Sequence, residues 1–218
     1  METGGVPTAS YPVGMTSGFG SGTWDDAYQH NQTPWDIGRP QPAIQHIADN
    51  GGLVEPILDS GCGSGEHALL AASMGLQVKG VDVSQTAIER ARAKARQRGL
   101  SAEFLVGDVL ALDDLPRLEP PFRTVIDTGC FHTFANADRP LYAQSLAAIT
   151  EPGAVFHLLC FSEHTPGTDG PRRVSQGEII ATFSRDWEVD SIEPDVFAVS
   201  SLWTGVPPSA WLARIVRR

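Results

Sequence analysis

The chain has 218 residues, 41% of them hydrophobic and 19% charged, with a formal net charge of −10. That length suffices to bury one sizeable core, and nothing indicates a second. The acidic balance argues against a general nucleic-acid binder, which needs a basic face to displace counterions.

Cys62, Cys130 and Cys160 form no CxxC pair. They outline neither a disulfide framework nor a metal site, and fit a reducing compartment. The first twenty residues hold no Lys or Arg and no apolar signal core. No apolar run approaches the ~20 residues of a membrane span. The expectation is a soluble, cytoplasmic monomer or homodimer without metal, meeting neither nucleic acid nor membrane.

Residues 1–22, rich in Gly, Pro, Ser and Thr, have little to bury and are expected to be disordered. One domain is expected over 23–218. Trp24 to His30 reads as a short helix. In TPWDIGRPQPA, Pro34, Pro40 and Pro42 fix a rigid turn before a helix over Ala43–Asp49.

Strands and helices then alternate. Strands are predicted over Val54–Asp59, Leu76–Val81, Ala102–Val106, Thr124–Asp127 and Ala154–Phe161. The first helix between them covers Glu66–Met74. The second is capped by Ser84, runs to Arg98 and is ended by Gly99. A third starts at Asp138 and is closed by Pro152-Gly153. A further helix at Glu178–Phe183 precedes strands at Trp187–Ile192 and Ala210–Val216. Arg90, Arg92, Lys94, Arg96 and Arg98 read as a solvated helix face.

Repeated β–α units with nearly all-apolar strands predict an α/β fold, a mostly parallel sheet with helices on both faces. The last two strands, with no helix between them, should form an antiparallel edge hairpin.

The segment ILDSGCGSGEHALLAASMG joins the first strand to the first helix, where ligands of such sheets bind. A P-loop needs GxxxxGK[ST], but Glu66 and His67 follow Gly65. A dinucleotide loop prefers GxGxxG, whereas Gly61, Gly63 and Gly65 are spaced GxGxG around Cys62. The flanking Asp59 and Glu66 disfavour pyrophosphate and suit a ligand with an ammonium and a sulfonium. Asp82, ending the second strand, is placed to accept from ribose hydroxyls, with a cap on the next helix as the alternative. Asp108, after the third strand, is placed to accept from an adenine amino group, with a turn-forming Asp as the alternative.

With Gly107-Asp108 and Asp127-Thr128-Gly129 in the same order, the sequence resembles the class I S-adenosylmethionine-dependent methyltransferases over residues 34–218. The resemblance implies a Rossmann-like, seven-stranded sheet whose last strand is antiparallel, and S-adenosyl-L-methionine as cofactor. It implies a cofactor site of Trp35, Asp59, Gly61, Cys62, Gly63, Gly65, Asp82, Val83, Asp108, Val109 and Asp127. PWDIGRPQPA, DTGCFHTF and CFSEHTPGTDGPRRVS look more specifically like a small-molecule branch, containing thiopurine-type and mycobacterial heterocyclic toxin methyltransferases. The implied reaction is methyl transfer to O, N or S of a small aromatic or heterocyclic compound such as a hydroxyquinolone, in detoxification or secondary metabolism. A thiol or thiopurine acceptor, and a non-catalytic cofactor-binding protein, are the alternatives.

The fourth strand ends in DTGC, not the [DN]PP[YF] of amino-methylating nucleic-acid enzymes of this fold. In-line transfer from an activated carbon needs an aligned nucleophile, a dry site and sometimes removal of a proton. A lid is expected over about 23–50. Phe19, Trp24 and Tyr28, with Phe131, Phe134 and Phe161 beyond the strands, are expected to flank a flat substrate. His132 is the candidate base, with positioning of substrate by a hydrogen bond as its alternative. His164 and Arg172 on the EHTPGTDGPRR loop are further substrate candidates. Arg173 has the same two readings as Arg172, an anion grip or a solvated surface. His67 and His157 read as structural.

Overall fold

The computed structural model describes residues 21–119, 121–167 and 170–218. Expectations for the amino-terminal segment and Phe19 therefore lie outside the described residues, up to residue 20.

The elements in chain order are α1 (Ser21–Gln29), α2 (Pro42–Asp49), β1 (Ile57–Ser60), α3 (Glu66–Ser73), β2 (Val78–Asp82), α4 (Gln85–Arg98) and β3 (Glu103–Val106). They continue with β4 (Phe122–Thr128), α5 (Arg139–Ala148), β5 (Thr150–Phe161), α6 (Gln176–Thr182), β6 (Trp187–Val196) and β7 (Ser209–Arg217). Short 3-10 segments at Val109–Asp114 and Phe131–Thr133 follow β3 and β4.

The sheet has seven strands in the order β3-β2-β1-β4-β5-β7-β6. Strands β1 to β5 pair in parallel, and β7 runs antiparallel between β5 and the edge strand β6. This is the expected doubly wound sheet with an antiparallel edge. The order reverses at β1 and β4, so the loops after these strands flank a crevice. One apolar layer packs α5 and α6 on one face, around Phe122, Phe156 and Trp187. The other packs α2, α3 and α4 around Ile57, Leu69 and Phe104.

The local signals for α4 act as expected. The Ser84 hydroxyl accepts from Ala87 N at 3.1 Å, and Gly99 closes the helix in a left-handed conformation. The helix before β5 is shorter than predicted. It ends at Ala148, and Thr150 already pairs with Phe122. Pro152-Gly153 falls at an irregularity of β5, where the register shifts, because a bulge tolerates a missing N–H that a regular ladder does not.

The basic run on α4 is also not simply a solvated face. The Arg92 guanidinium donates to Phe104 O at 2.6 Å, Lys94 donates to Ser64 Oγ at 2.6 Å, and Arg98 pairs with Glu66 at 2.8 Å. Arg90 donates to Tyr28 O. A helix beside a glycine-rich loop and β3 presents its cations to their free carbonyls and acids.

His157, in β5, contacts Gly52 O at 3.3 Å, and burial pushes its imidazole down to about 4. Unfolded, it takes up a proton below about 6.5. Between that pH and about 4 the unfolded chain therefore binds the extra proton, and acidification removes stability. Relative to His157→Gln, the native chain is expected to lose up to about 1.4 kcal/mol per pH unit in that window. Urea unfolding of both proteins at several pH values checks this, and a pH-independent difference would contradict it.

Candidate functional site

A cavity of about 530 Å³ opens at the carboxyl ends of the parallel strands. The loop after β1 contributes Gly61, Cys62, Gly63 and Ser64, β2 ends in it with Asp82 and Val83, and β3 leads to Gly107, Asp108, Val109 and Leu110. From the β4 side come Thr128, Gly129, Cys130, His132, Thr133, Phe134 and Asp138. Phe161, Pro171 and Phe197 close the β5 side. Trp24, Tyr28, Trp35, Asp36, Ile37, Arg39 and Gln41 border it from α1 and the proline-fixed turn.

Most of the predicted residues thus meet around one space. Asp82 anchors the loop: its Oδ2 accepts from Gly63 N at 2.8 Å and its Oδ1 from Ser84 N at 2.9 Å. The exposed Asp108 accepts from Leu110 N at 2.9 Å, which starts the 3-10 segment carrying Val109. Trp35 Nε1 donates to Tyr28 Oη at 3.1 Å, and Trp24 and Tyr28 meet the Trp35 ring edge-on at 5.7 and 6.1 Å. The Tyr28 hydroxyl stands over Gly63, where a side chain would collide with it.

Several predicted residues do not border the cavity. Asp59 is fully buried and turns its Oδ2 to Ala68 N at 3.0 Å, capping the start of α3. Asp127 is equally buried. It accepts from Cys130 N at 2.8 Å, Phe131 N at 3.0 Å and Tyr142 Oη at 2.8 Å, so it folds the turn after β4. Burial pushes both carboxyls up to about 7, with the field of Asp127 adding to that of burial at Asp59. Gly65 packs under α4, and Phe131 lies in the core against Phe183 at 5.6 Å with the Arg139 guanidinium over it at 4.7 Å. His164 is exposed, edge-on to Trp211 at 5.4 Å. Arg172 pairs with Glu178 and Asn136.

Other contacts were not announced by the sequence. Asp36 Oδ2 accepts from Ser64 Oγ at 2.6 Å, and Lys94 joins Ser64 to Glu66 at 2.8 Å, binding the turn, the glycine loop and α4 into one network. Asp25 accepts from Thr86 N at 2.7 Å and Ser84 Oγ at 2.7 Å, docking α1 on the N-terminus of α4. Its carboxyl is held below the usual range, chiefly by the Thr86 amide. His67 Nε2 accepts from Gln41 N at 3.1 Å, orienting the turn. Phe197 adds a ring 5.2 Å from Phe161. No local pattern announces these contacts, which join distant segments.

The charges around the cavity test what it can hold. Asp36, Glu66, Asp82, Asp108 and Asp138 line it, against the guanidinium of Arg39. Glu66 is already paired with Lys94 and Arg98. Such a space repels pyrophosphate and suits a nucleoside carrying positive charge. S-adenosylmethionine fits that description. Among the described residues, no helix is long and apolar enough to cross a membrane.

Comparison with known proteins agrees with the chemistry. Residues 57–153 match the family described as a methyltransferase domain. Over 163 residues the chain is 36% identical to a 2-heptyl-1-hydroxyquinolin-4(1H)-one methyltransferase of Mycobacteroides abscessus, covering 74% of this chain and 71% of that protein. A probable thiol methyltransferase 2 of Arabidopsis thaliana is 31% identical, covering 72% and 70% respectively. A solved structure described as the conversion of a disulfide bond into a thioacetal group during echinomycin biosynthesis superposes with a TM-score of 0.81 at 34% identity, covering 90% of this chain and 92% of that one. This protein therefore belongs to the class I S-adenosylmethionine-dependent methyltransferases.

Proposed function

We propose that the enzyme methylates a heteroatom, oxygen in preference to nitrogen or sulfur, of a small flat aromatic or heterocyclic compound such as a hydroxyquinolone, in detoxification or secondary metabolism. The observation that carries this reading is the β4–β5 side of the cavity, where Phe161 and Phe197 flank His132 and Phe134 lines the same wall. Three rings and one polar side chain suit a planar acceptor with a single reacting heteroatom. The hydroxyquinolone methyltransferase with which the chain shares 36% identity points the same way.

The bound cofactor supplies a methyl group on a positively charged sulfur. The chain's own residues do the rest. Asp82 and Asp108 would accept from the nucleoside, and Val83, Val109 and the glycine loop border the same space. Trp24, Tyr28 and Trp35, on α1 and the turn, act as a lid that excludes water, and Arg39 lies on the same turn. Gathering acceptor and donor in a dry cavity turns a bimolecular displacement into a nearly unimolecular one.

A thiol acceptor is the second reading, favoured by the 31% identity to a probable thiol methyltransferase. An acceptor panel followed by mass spectrometry separates the two. Hydroxyquinolones are expected to gain one methyl group with kcat/KM well above that of simple thiols. Turnover of thiols with quinolones left unmodified would replace the first reading by the second.

A further inference from the structure

His132 lies on the 3-10 turn after β4 and is 4% exposed. The backbone N–H of Phe161 donates to its Nδ1 at 2.9 Å. The Phe161 ring stands edge-on to the imidazole at 4.6 Å, and Phe197 lies at 5.9 Å. A backbone amide can only donate, so Nδ1 presents its lone pair to it. In a neutral imidazole one nitrogen donates and the other accepts, which leaves the proton on Nε2. Nε2 lies toward Gly129, where a Cβ would sit 3.3 Å away, and both residues line the cavity. Among the described residues Nε2 has no protein partner.

Two cations act on this ring, Arg139 and Arg173, while Asp127 folds the same turn and Asp138 lines the same cavity. Arg139 of α5 is buried, with Nη1 paired to Glu178 at 3.1 Å and with Nε and Nη2 lacking a partner. Arg173, on the loop after β5, stands 5.9 Å from the Phe161 ring. From β5 and the segment after β6, Phe161 and Phe197 present uncharged rings, and burial holds the Cys130 and Cys160 thiols neutral. Burial first, then Arg139 and Arg173, push the His132 imidazole down to about 3. A second proton on this ring would place an imidazolium in the field of two guanidinium groups. A negative charge next to Nε2 would instead be favoured by both and by the Nε2 proton.

We propose that His132 is a fixed hydrogen-bond donor rather than a base, and that the acceptor enters already ionised: an acidic N-hydroxy, enolic or thiol-substituted heteroaromatic compound. The inference rests on the function proposed above and narrows its substrate class. The lone pair of the ionised oxygen or sulfur forms the bond to the methyl carbon. The carbon–sulfonium bond breaks and its electron pair remains on sulfur. Anion and sulfonium become two neutral products, and no proton is left for a residue to remove. Nε2–H fixes the nucleophilic atom while Arg139 and Arg173 favour its charge.

Two measurements test this. Long-range 1H–15N correlation NMR on the full chain labelled in histidine nitrogen, with and without S-adenosylhomocysteine, reads the tautomer directly. His132, assigned through His132→Gln, is expected to carry its proton on Nε2 and not to titrate between about pH 5 and 9. A proton on Nδ1, or titration in that window, would overturn the proposal whatever the activity. Second, kcat/KM against pH is measured with 2-heptyl-1-hydroxyquinolin-4(1H)-one and with benzenethiols of graded acidity. The acid limb is expected to follow the acidity of each acceptor. His132→Ala should lower the plateau about 10- to 100-fold, the loss of one hydrogen bond to a charged atom, without moving the limb. His132→Gln, which still offers an N–H, should recover part of it. A limb fixed at one pH for every acceptor, or abolished in His132→Ala, would show a base and sink the proposal. If no acceptor turns over while NMR finds Nε2 protonated, the acceptor reading falls and the donor assignment stands.

Discussion

Asp82→Ala is expected to weaken binding of S-adenosylhomocysteine by about 1–3 kcal/mol, or about 5- to 150-fold, in calorimetric titration. The carboxylate ends β2 at the cavity wall, and its two oxygens already hold Gly63 N at 2.8 Å and Ser84 N at 2.9 Å. Each oxygen keeps a further lone-pair direction, so the side chain can serve a ribose and the loop together. Alanine removes the ligand acceptor and leaves the Gly63 and Ser84 amides without their partner. Asp108→Ala should cost less, because Asp108 is exposed and water can replace it. Unchanged affinity in a folded Asp82→Ala protein would rule Asp82 out as a cofactor ligand.

Gly65→Ala is expected to destabilise the fold by about 2–5 kcal/mol. Gly65 has φ +86° at the start of α3, and a Cβ there would lie 2.8 Å from both Ala91 Cβ and Phe104 Cε1. These neighbours are core atoms of α4 and β3. A left-handed backbone costs an L-residue about 1–2 kcal/mol, and overpacking a filled core adds about 1–3 kcal/mol. Gly75 provides the control: its φ is +80°, but nothing lies within 4 Å of a Cβ. Gly75→Ala should therefore cost only the backbone part, about 1–2 kcal/mol. For a chain of this length each kcal/mol lowers Tm by about 2–4 °C, so differential scanning calorimetry resolves the two. Equal losses at both positions would show that the close approach of α4 and β3 does not act on Gly65.

Gly65 also shows why the third glycine of the loop was legible but its purpose was not. The spacing GxGxG marks a backbone that must approach something closely. At Gly63 the approaching group is the Tyr28 hydroxyl, and at Gly65 it is the protein's own core. The acids flanking the loop follow the same pattern. Asp59 and Glu66 stood out as a field for a cationic ligand, yet Asp59 caps α3 and Glu66 is paired with Lys94 and Arg98. The unpaired negative charge facing the cavity comes instead from such residues as Asp82, Asp108 and Asp138.

The alternation of strands and helices, the antiparallel edge and the cap-to-cap extent of α4 could be read from the sequence alone. Strands buried on both faces are mostly apolar, and caps such as Ser84 and Gly99 act within a few residues. That Asp82 and Asp108 reach one edge was equally legible, because parallel strands deliver their ends to the same side of the sheet. Tertiary structure decided which neighbour a side chain serves. It sent Phe131 into the core and His132, the next residue, into the cavity. It turned the α4 cations onto the glycine loop and docked α1 through Asp25. It also gave His132 Nδ1 to the Phe161 amide of β5, fixing the proton on Nε2. Such pairings follow from the packing of elements far apart in the chain, whose distances no local spacing encodes.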